Sequence, residues 1–394
     1  MSKVGYKFVG LSDFKALVTG VPEAIKTTIP NAADVPPLPP QANVLLLGSN
    51  GFVGLHVLSA LTRSDRVGRV ICIVRKGSTS SAARRLRNAT RKNGMKVDLD
   101  AVTVLDGDIG APCFGLPQQD YDALTSEVDV VINCAGSISH ALSYRYYRKT
   151  AIALFFRLLE FSQTRKIKQM HVLGSLGSEV YHSRGDFLRF GFYHCGYSRM
   201  KWVIKQLCLQ AQDRNHQVSV YLAPYVLGSQ ETRFRDPGLK YSFWQMVQSC
   251  YQLGYVWRDE RALVPAVSGA VLADEIVSNV FAKQPKPVLF PAMQVTATEF
   301  AERFGLRSLD WHDFRKRLVR SVSVGTHIRK NGLRDLRAAI RQYLYVVALF
   351  PRDLPAMMEK AYAQPWTVDL DPSHPENSVD LLDACARANR IIEA

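Results

Sequence analysis

The sequence contains no Cys-x-x-Cys pair, and its seven cysteines (72, 113, 134, 195, 208, 250 and 385) are scattered over 394 residues. An odd number without regular spacing argues against a disulfide framework and against a structural zinc site, and no metal is expected. No apolar run reaches the ~20 residues that a membrane-spanning helix requires. The opening Met-Ser-Lys-Val-Gly-Tyr-Lys-Phe has neither the apolar stretch nor the small-residue cleavage site of a secretory signal, so a cytoplasmic location is expected. Acidic residues are also in deficit: 35 Asp and Glu against 50 Lys and Arg leave a formal charge of +15. Such an excess suits nucleic acid, a phosphate-rich cofactor or an acidic protein. No zinc-finger or RNA-binding signature accompanies it, so nucleic acid is not an expected partner. The basic clusters at Arg84–Arg91, Arg315–Arg320 and Arg329–Arg341 read mainly as solvated helix faces.

What is present is the composition of a globular protein, 47% hydrophobic and 22% charged. Residues 1–42 form an N-terminal segment, in which a short helix over 11–27 precedes an extended linker; five prolines lie between Pro30 and Pro40. From residue 43 buried strands alternate with helices. Strands are expected at Val44–Leu47, Val70–Val74, Val102–Leu105, Val128–Ile132, Met170–Leu173 and Val218–Leu222, with helices near 54–61, 80–93, 146–163 and 197–213. This order predicts an α/β fold, a Rossmann-type doubly wound parallel sheet spanning 43–228. Beyond residue 228 the alternation fails. Helices at 240–254, 297–304, 310–322 and 330–347 predict a mainly helical substrate-binding lobe over 229–394, and Pro287–Phe290 allows a strand that returns to the sheet.

The sharpest local pattern is the run from Val44 to Gly54, in which Gly48, Gly51 and Gly54 follow a buried strand and open a helix. Absent side chains let the backbone of Gly48, Ser49, Asn50, Gly51, Phe52, Val53 and Gly54 approach a pyrophosphate, and the helix N-terminus supplies N–H donors. The second strand ends on Arg75, where an NAD site usually carries an acidic residue; with Arg85 it predicts a clamp on a 2′-phosphate, and hence NADPH. Asp108 and Ile109 follow the third strand, where Asp108 can accept from the adenine amino group. Cys134, Ala135 and Gly136 follow the fourth and leave room for the nicotinamide half.

A catalytic pair is expected at Tyr197 and Lys201. With 16 tyrosines about one Tyr-x-x-x-Lys match arises by chance, but this one opens a helix after the fifth strand, with both groups on one face. A neighbouring ammonium favours the phenolate and brings the tyrosine into range for proton transfer. Ser175 ends the fifth strand and brings a hydroxyl to the same sheet edge for the reacting carbonyl.

Together these residues resemble the extended short-chain dehydrogenase/reductases. More narrowly they resemble the thioester reductase domains that end carboxylic acid reductases, nonribosomal peptide synthetases and polyketide synthases. The narrower likeness rests on the 48–54 loop, Val74-Arg75 with Arg85, Gly107-Asp108, Phe114-Gly115-Leu116 and Val128–Ala135. It extends through Ser139–Tyr144, Gly196–Trp202, Leu253-Gly254, Val264-Pro265 and Leu309–Trp311. The resemblance implies reduction by NADPH of an acyl or peptidyl thioester held on the phosphopantetheine of a carrier protein. Tyr197 would protonate the oxygen, Lys201 would hold the nicotinamide ribose and tune Tyr197, and Ser175 would orient the carbonyl. The product would be an aldehyde, which some relatives reduce on to an alcohol. The protein would be a monomer or part of a multidomain synthase.

This sequence departs from that pattern at Ala151, where relatives often place an asparagine that supports the lysine through water, and at Gly174, which removes one hydroxyl of a Ser-Thr pair. Leu222 replaces a common arginine, and Ser49-Asn50 replaces a small residue and a threonine. Two further readings stay open: a non-redox Dieckmann-type cyclase on the same fold, which Tyr197 argues against, and an NADP(H)-binding sensor without turnover. The role of residues 325–394 is open as well.

Overall fold

The computed structural model describes residues 36–75, 77–78, 80–139, 142–176, 178, 196–235, 244, 247, 250–251, 253–258, 266–293, 295–321, 367–370 and 374–389. The helices expected at 11–27 and 330–347, most of 240–254, and the landmarks His140-Ala141 and Val264-Pro265 lie outside the described residues. The chain folds as two compact units. The first comprises residues 1–223 and 269–291, the second residues 224–268 and 292–394.

In the first unit, β1 (Ala42–Leu47), β2 (Val67–Val74), β3 (Val102–Asp106), β4 (Val130–Asn133), β5 (Gln169–Leu173), β6 (Val218–Tyr221) and β7 (Val288–Ala292) form a parallel sheet. Seven neighbouring strands run in the order β7-β6-β5-β4-β1-β2-β3. Crossovers put helices on both faces, which explains why β1 reads Ala-Asn-Val-Leu-Leu-Leu and β2 ends Val-Ile-Cys-Ile-Val instead of alternating. The helices are α1 (Phe52–Arg63), α2 (Ala82–Lys92), α3 (Gln118–Glu127), α4 (Tyr144–Tyr147), α5 (Ala153–Gln163), α6 (Gly196–Gln212) and α7 (Gly269–Val280). A wide π turn over Arg148–Ile152 joins α4 to α5 in one irregular rod.

The sheet therefore has the expected doubly wound class. The expected helix boundaries fall within two residues for α1, α2 and α6, and the helix expected at 146–163 corresponds to the whole rod 144–163 made of α4, the π turn and α5. The main difference is α7, which the sequence reading missed, together with the return of 269–291 to the first unit after residues 224–268 have formed part of the second. Helix α7 packs on α1 through Gly269, where a Cβ would lie 2.6 Å from the His56 ring. That close seat favours glycine, a residue that weakens a helix signal in sequence. Helix α3 was missed too, since its Gln-Gln-Asp-Tyr-Asp start is polar and only Leu124 and Thr125 are buried.

Behind the sheet lies one buried polar cluster. The His171 Nδ1 of β5 is 2.7 Å from the Tyr221 hydroxyl of β6, and Asn279 of α7 donates to that hydroxyl at 3.1 Å. The Asn279 side-chain amide also closes a pair of hydrogen bonds with the Lys286 backbone, at 3.2 and 2.8 Å. The cluster thus fixes the turn that sends the chain back as β7, and every member is satisfied.

The second unit has its own core. Trp244, Trp257, Phe300, Phe314, Leu381 and Leu382 are buried in one cluster, and the Trp257 ring meets Trp311 edge-on at 5.7 Å. Two short parallel pairs, Tyr225–Leu227 with Ala266–Ser268 and Tyr255–Trp257 with Arg307–Leu309, accompany helices at Ala297–Arg303, Trp311–Ser321 and Val379–Ala388. The first of these helices starts in a capping box between Thr296 and Glu299. Glu376 is buried yet satisfied, accepting from Gln230 N and from the Ser268 hydroxyl.

Burial pushes His171 down to about 3, so the folded state holds it neutral. The unfolded chain takes up a proton near pH 6.5 and the folded chain does not. Stability is therefore full above about 6.5 and falls as pH drops towards 3, with a slope of up to about 1.4 kcal/mol per pH unit. Urea unfolding between pH 7.5 and 5 is expected to show this slope, reduced by about that amount in His171→Gln.

Candidate active site

The strand order reverses between β1 and β4, whose last residues, Leu47 and Asn133, are paired in register. A crevice at the carboxyl ends of such a pair is where open α/β sheets bind ligands. Here Cys134 N donates to Leu47 O at 3.0 Å, tying the two strand ends together just where each chain leaves the sheet. Gly48 has φ +78, and a Cβ on it would lie 2.6 Å from Ala135 N; a Cβ on Gly54 would lie 2.1 Å from Gly48 O. Both glycines are thus required by backbone contact, at the tight turn and where α1 meets the loop. Gly51 caps α1, whose first turn carries no acidic residue, so the exposed N–H groups there face no competing charge. Ser49 is buried beside Cys72, whose thiol burial pushes up to about 12. Asn50 is exposed, Phe52 and Val53 are partly buried on α1, and the Phe52 ring meets His56 edge-on. A nicotinamide dinucleotide fits this cradle, since the loop leads into a helix N-terminus that offers backbone N–H groups and carries no acidic residue in its first turn.

At the other end of the crevice Arg75 Nη2 pairs with Asp108 Oδ1 at 2.7 Å, while Arg85 donates to Arg75 O. Gly110 N donates to the same Asp108 oxygen at 3.0 Å; that bond, then Arg75, holds the Asp108 carboxyl below the usual range. The loop bearing Asp108 and Ile109 is braced twice. Arg157 of α5 donates to Gly110 O at 2.6 Å, and Asp108 N donates to Phe114 O at 2.7 Å. Phe114 lies in a run of three left-handed residues, Cys113 (φ 50), Phe114 (φ 56) and Gly115 (φ 69). Such a run is costly for L residues, and it brings the Phe114 carbonyl onto Asp108. The side chains of Arg75 and Asp108 are 67% and 43% exposed, so their pair is worth ~0–1 kcal/mol and yields readily to a ligand.

The expected catalytic residues gather at the ends of β5 and α6. Lys201 Nζ donates to Leu173 O at 2.6 Å, two residues before Ser175, and lies 5.9 Å from the Tyr197 ring centroid. One ammonium therefore joins the end of β5 to the tyrosine. The start of α6 is wedged against the start of α4: a Cβ on Gly196 would lie 2.4 Å from Leu142 O and from Tyr144 N. The Ser175 carbonyl accepts from Ser178 N and Oγ at 2.9 and 2.7 Å, which turns the chain after the strand. Cys134 lies close enough to Lys201 to couple to it electrostatically, and burial raises its thiol to about 12. Ala135 N donates to Asn133 Oδ1 at 3.0 Å, so the loop through Gly136 leaves β4 in a fixed direction. Among the described residues no group of three or more His, Cys, Asp or Glu is placed to hold a metal.

The departures take on a physical form here. A Cβ at Gly174 would lie 2.9 Å from Tyr221 O and 3.2 Å from Leu222 Cδ2, so Gly174 and Leu222 adjoin. Ala151 falls inside the π turn between α4 and α5. Gly196 belongs to the 196–202 likeness but without a stated reason, which this contact supplies; Tyr147, whose ring stands 6.2 Å from that of Tyr197, has no role in the sequence analysis. The only signal for Tyr147 was an aromatic that stays apolar-facing within Tyr-Arg-Tyr-Tyr.

A model of an NAD-binding family, described as male sterility protein, matches residues 46–274, which takes in the glycine loop, Tyr197 and Lys201. The chain belongs to the male sterility protein family. Membership and the glycine cradle agree on a nicotinamide cofactor. Curated relatives of this family member include a nonribosomal peptide synthetase of Aspergillus hancockii, 24% identical over 229 residues, 54% of this chain and 22% of that one. The large subunit of L-2-aminoadipate reductase from Penicillium chrysogenum is 27% identical over 243 residues, 54% of this chain and 17% of that one. The chain thus spans under a quarter of these relatives' lengths. Among solved structures, the terminal R domain of the myxalamid PKS-NRPS pathway covers 95% of this chain, with 97% of its own length matched, TM-score 0.66 and 17% identity. An archaeal thiolation-reductase di-domain has TM-score 0.65 and 16% identity, covering 96% of this chain and 83% of its own. The chain therefore shares the fold of these reductase domains, as its motifs implied. Among the described residues no helix is long and apolar enough to cross a membrane.

Burial pushes Lys201 down to about 8, with the nearby thiols of Cys134 and Cys208 acting the other way. The unfolded lysine titrates near 10.4. The folded state therefore bears the cost of a buried ammonium below about pH 8 and sheds it as pH rises from 8 to beyond 10. Lys201→Met is expected to melt ~3 °C above wild type at pH 7, with the gap roughly halved by pH 9.5, while any turnover is lost. Thermal melts at the two pH values check the sign.

Proposed function

We propose that this chain is an oxidoreductase that uses NADPH to release a carrier-bound acyl or peptidyl thioester as an aldehyde, with Tyr197, Lys201 and Ser175 at the reacting centre. The observation that carries the reading is the Lys201 ammonium, fixed on Leu173 O at 2.6 Å and facing the Tyr197 ring at 5.9 Å. A cation held there favours the phenolate and prepares Tyr197 Oη to give and regain a proton. In the first unit Gly48, Ser49, Asn50, Gly51, Phe52, Val53 and Gly54 would receive the cofactor pyrophosphate, and Asp108 and Ile109 the adenine. Cys134, Ala135 and Gly136 would line the nicotinamide side. The bound nicotinamide supplies a hydride to the thioester carbonyl carbon. Ser175 Oγ would hold the carbonyl oxygen and Tyr197 Oη would donate its proton there. Lys201 would hold the ribose and restore the phenol. As the C–S bond of the resulting hemithioacetal breaks, its hydroxyl proton passes to the departing sulfur, giving an aldehyde and a free pantetheine thiol.

NADPH is proposed over NADH because Arg75 stands where an acidic residue would repel a 2′-phosphate, and its exposed pairing with Asp108 is weak enough to exchange. Arg85, bonded to the Arg75 carbonyl, sits beside it. The partner proposed is a carrier protein domain bearing phosphopantetheine, in keeping with synthase relatives and with the formal charge of +15, which favours an acidic partner. The second unit would receive the acyl chain, and the whole would act in the cytoplasm within or beside a synthase.

The test is oxidation of NADPH followed at 340 nm with acyl-pantetheine and acyl-carrier thioesters. Wild type is expected to turn over and form an aldehyde or alcohol, with kcat lowered at least ~100-fold in Tyr197→Phe. Folded protein that binds NADPH but turns over no acyl thioester would overturn the reading in favour of a cyclase or sensor. In the same assay Arg75→Ser is expected to raise KM for NADPH ~10-fold or more and leave that for NADH nearly unchanged. Equal effects on the two cofactors would remove Arg75 from the phosphate site.

A further inference from the structure

Tyr147 is 1% exposed, yet its hydroxyl is not in the protein core at large: it is spent on one loop. It accepts from Ser139 N at 3.1 Å and lies 3.1 Å from Ser137 O and 2.9 Å from Ser139 O, so its single proton serves one or other carbonyl. That loop leaves β4 directly after Cys134, Ala135 and Gly136, and it presents Ile138 with 60% of its surface exposed. The same tyrosine ring stands edge-on to Tyr197, centroids 6.2 Å apart at 67°. Tyr147 ends α4 and the π turn begins at the next residue, so the backbone is irregular just where this side chain is held. A buried ring with three hydrogen-bond contacts to one loop has little freedom to move, and it forms one wall against the reacting tyrosine.

We infer that Tyr147 is a positioning residue for the proposed reduction: by clamping residues 137–139 it holds the Tyr197 ring at the distance from Lys201 that lowers the energy of the phenolate. The inference rests on the reading of Tyr197 as proton donor, but its consequence for Tyr197 ionisation is independent of any substrate. Loss of the hydroxyl in Tyr147→Phe keeps the ring and its burial while freeing the loop. Tyr197 then drifts from the ammonium and ionises at a higher pH.

Two measurements decide it. In the first, absorbance at 295 nm is titrated against pH in the protein with NADPH bound, and the Tyr197 step is isolated as the difference between each protein and its Tyr197→Phe counterpart. That step is expected to move up by about half a pH unit or more in Tyr147→Phe. In the second, steady-state thioester reduction is expected to lose ~10-fold or more in kcat with KM for NADPH unchanged. The Tyr147→Phe/Tyr197→Phe double variant is expected to be no slower than Tyr197→Phe alone, because the clamp acts only through Tyr197. A Tyr197 step that stays in place in Tyr147→Phe overturns the inference, as does a further equal loss in the Tyr197→Phe background. A shifted step in a protein whose wild type reduces no thioester would overturn the functional reading and leave the positioning role standing.

Discussion

The structure depends on how closely two strand ends can approach at the reversal of the sheet. Leu47 and Asn133 are neighbours in register, and a Cβ on residue 48 would lie 2.6–2.8 Å from backbone atoms of Ala135 and Cys134. With any residue but glycine at 48, either the loop or the β4 exit must move. The same loop then accepts α1 at Gly54, whose own Cβ has no room beside Gly48 O. The cradle, the direction of α1 and the course of 134–136 are thus one solution to one steric constraint.

From that point the site is assembled by backbone carbonyls more than by side chains. Leu173 O holds Lys201, Phe114 O seats Asp108 N, Gly110 O receives Arg157, and Ser137 and Ser139 carbonyls face Tyr147. Bonds to the main chain fix the direction of a charged group without a second charge to neutralise it, as Leu173 O does for the Lys201 ammonium. Surface ion pairs, the exposed Arg75–Asp108 pair among them, contribute little by comparison.

How much of this could be read from the chain follows from which interactions leave a pattern. The buried strands announced themselves through continuous apolar runs, and Gly48, Gly51, Gly54, Tyr197 and Lys201 through spacing, because each depends on local sequence. Helix α7 did not, since it begins at a glycine packed on His56, 213 residues earlier in the chain, and follows residues that belong to the second unit. The left-handed run at Cys113, Phe114 and Gly115 was equally hidden, because two of its three residues are not glycine and only tertiary contact sustains their φ values. Tyr147 looked like any core aromatic, and its function lies in what its hydroxyl meets ten residues upstream.

The two departures at Gly174 and Leu222 can now be considered together. In sequence they are 48 residues apart, a missing hydroxyl and a missing guanidinium with no relation. In space a Cβ at 174 would touch the Leu222 side chain at 3.2 Å and the Tyr221 carbonyl at 2.9 Å. Leu222 is fully buried, with its N–H bonded to Leu289 O at 2.7 Å, and Gly174 N is bonded to Tyr221 O at the same distance. A polar side chain at 174 would therefore meet an apolar neighbour and a carbonyl already in use, while an arginine at 222 would need space and partners in a sealed layer. Gly174 and Leu222 therefore suit each other, and together they form one closely packed stretch at the strand ends next to Ser175.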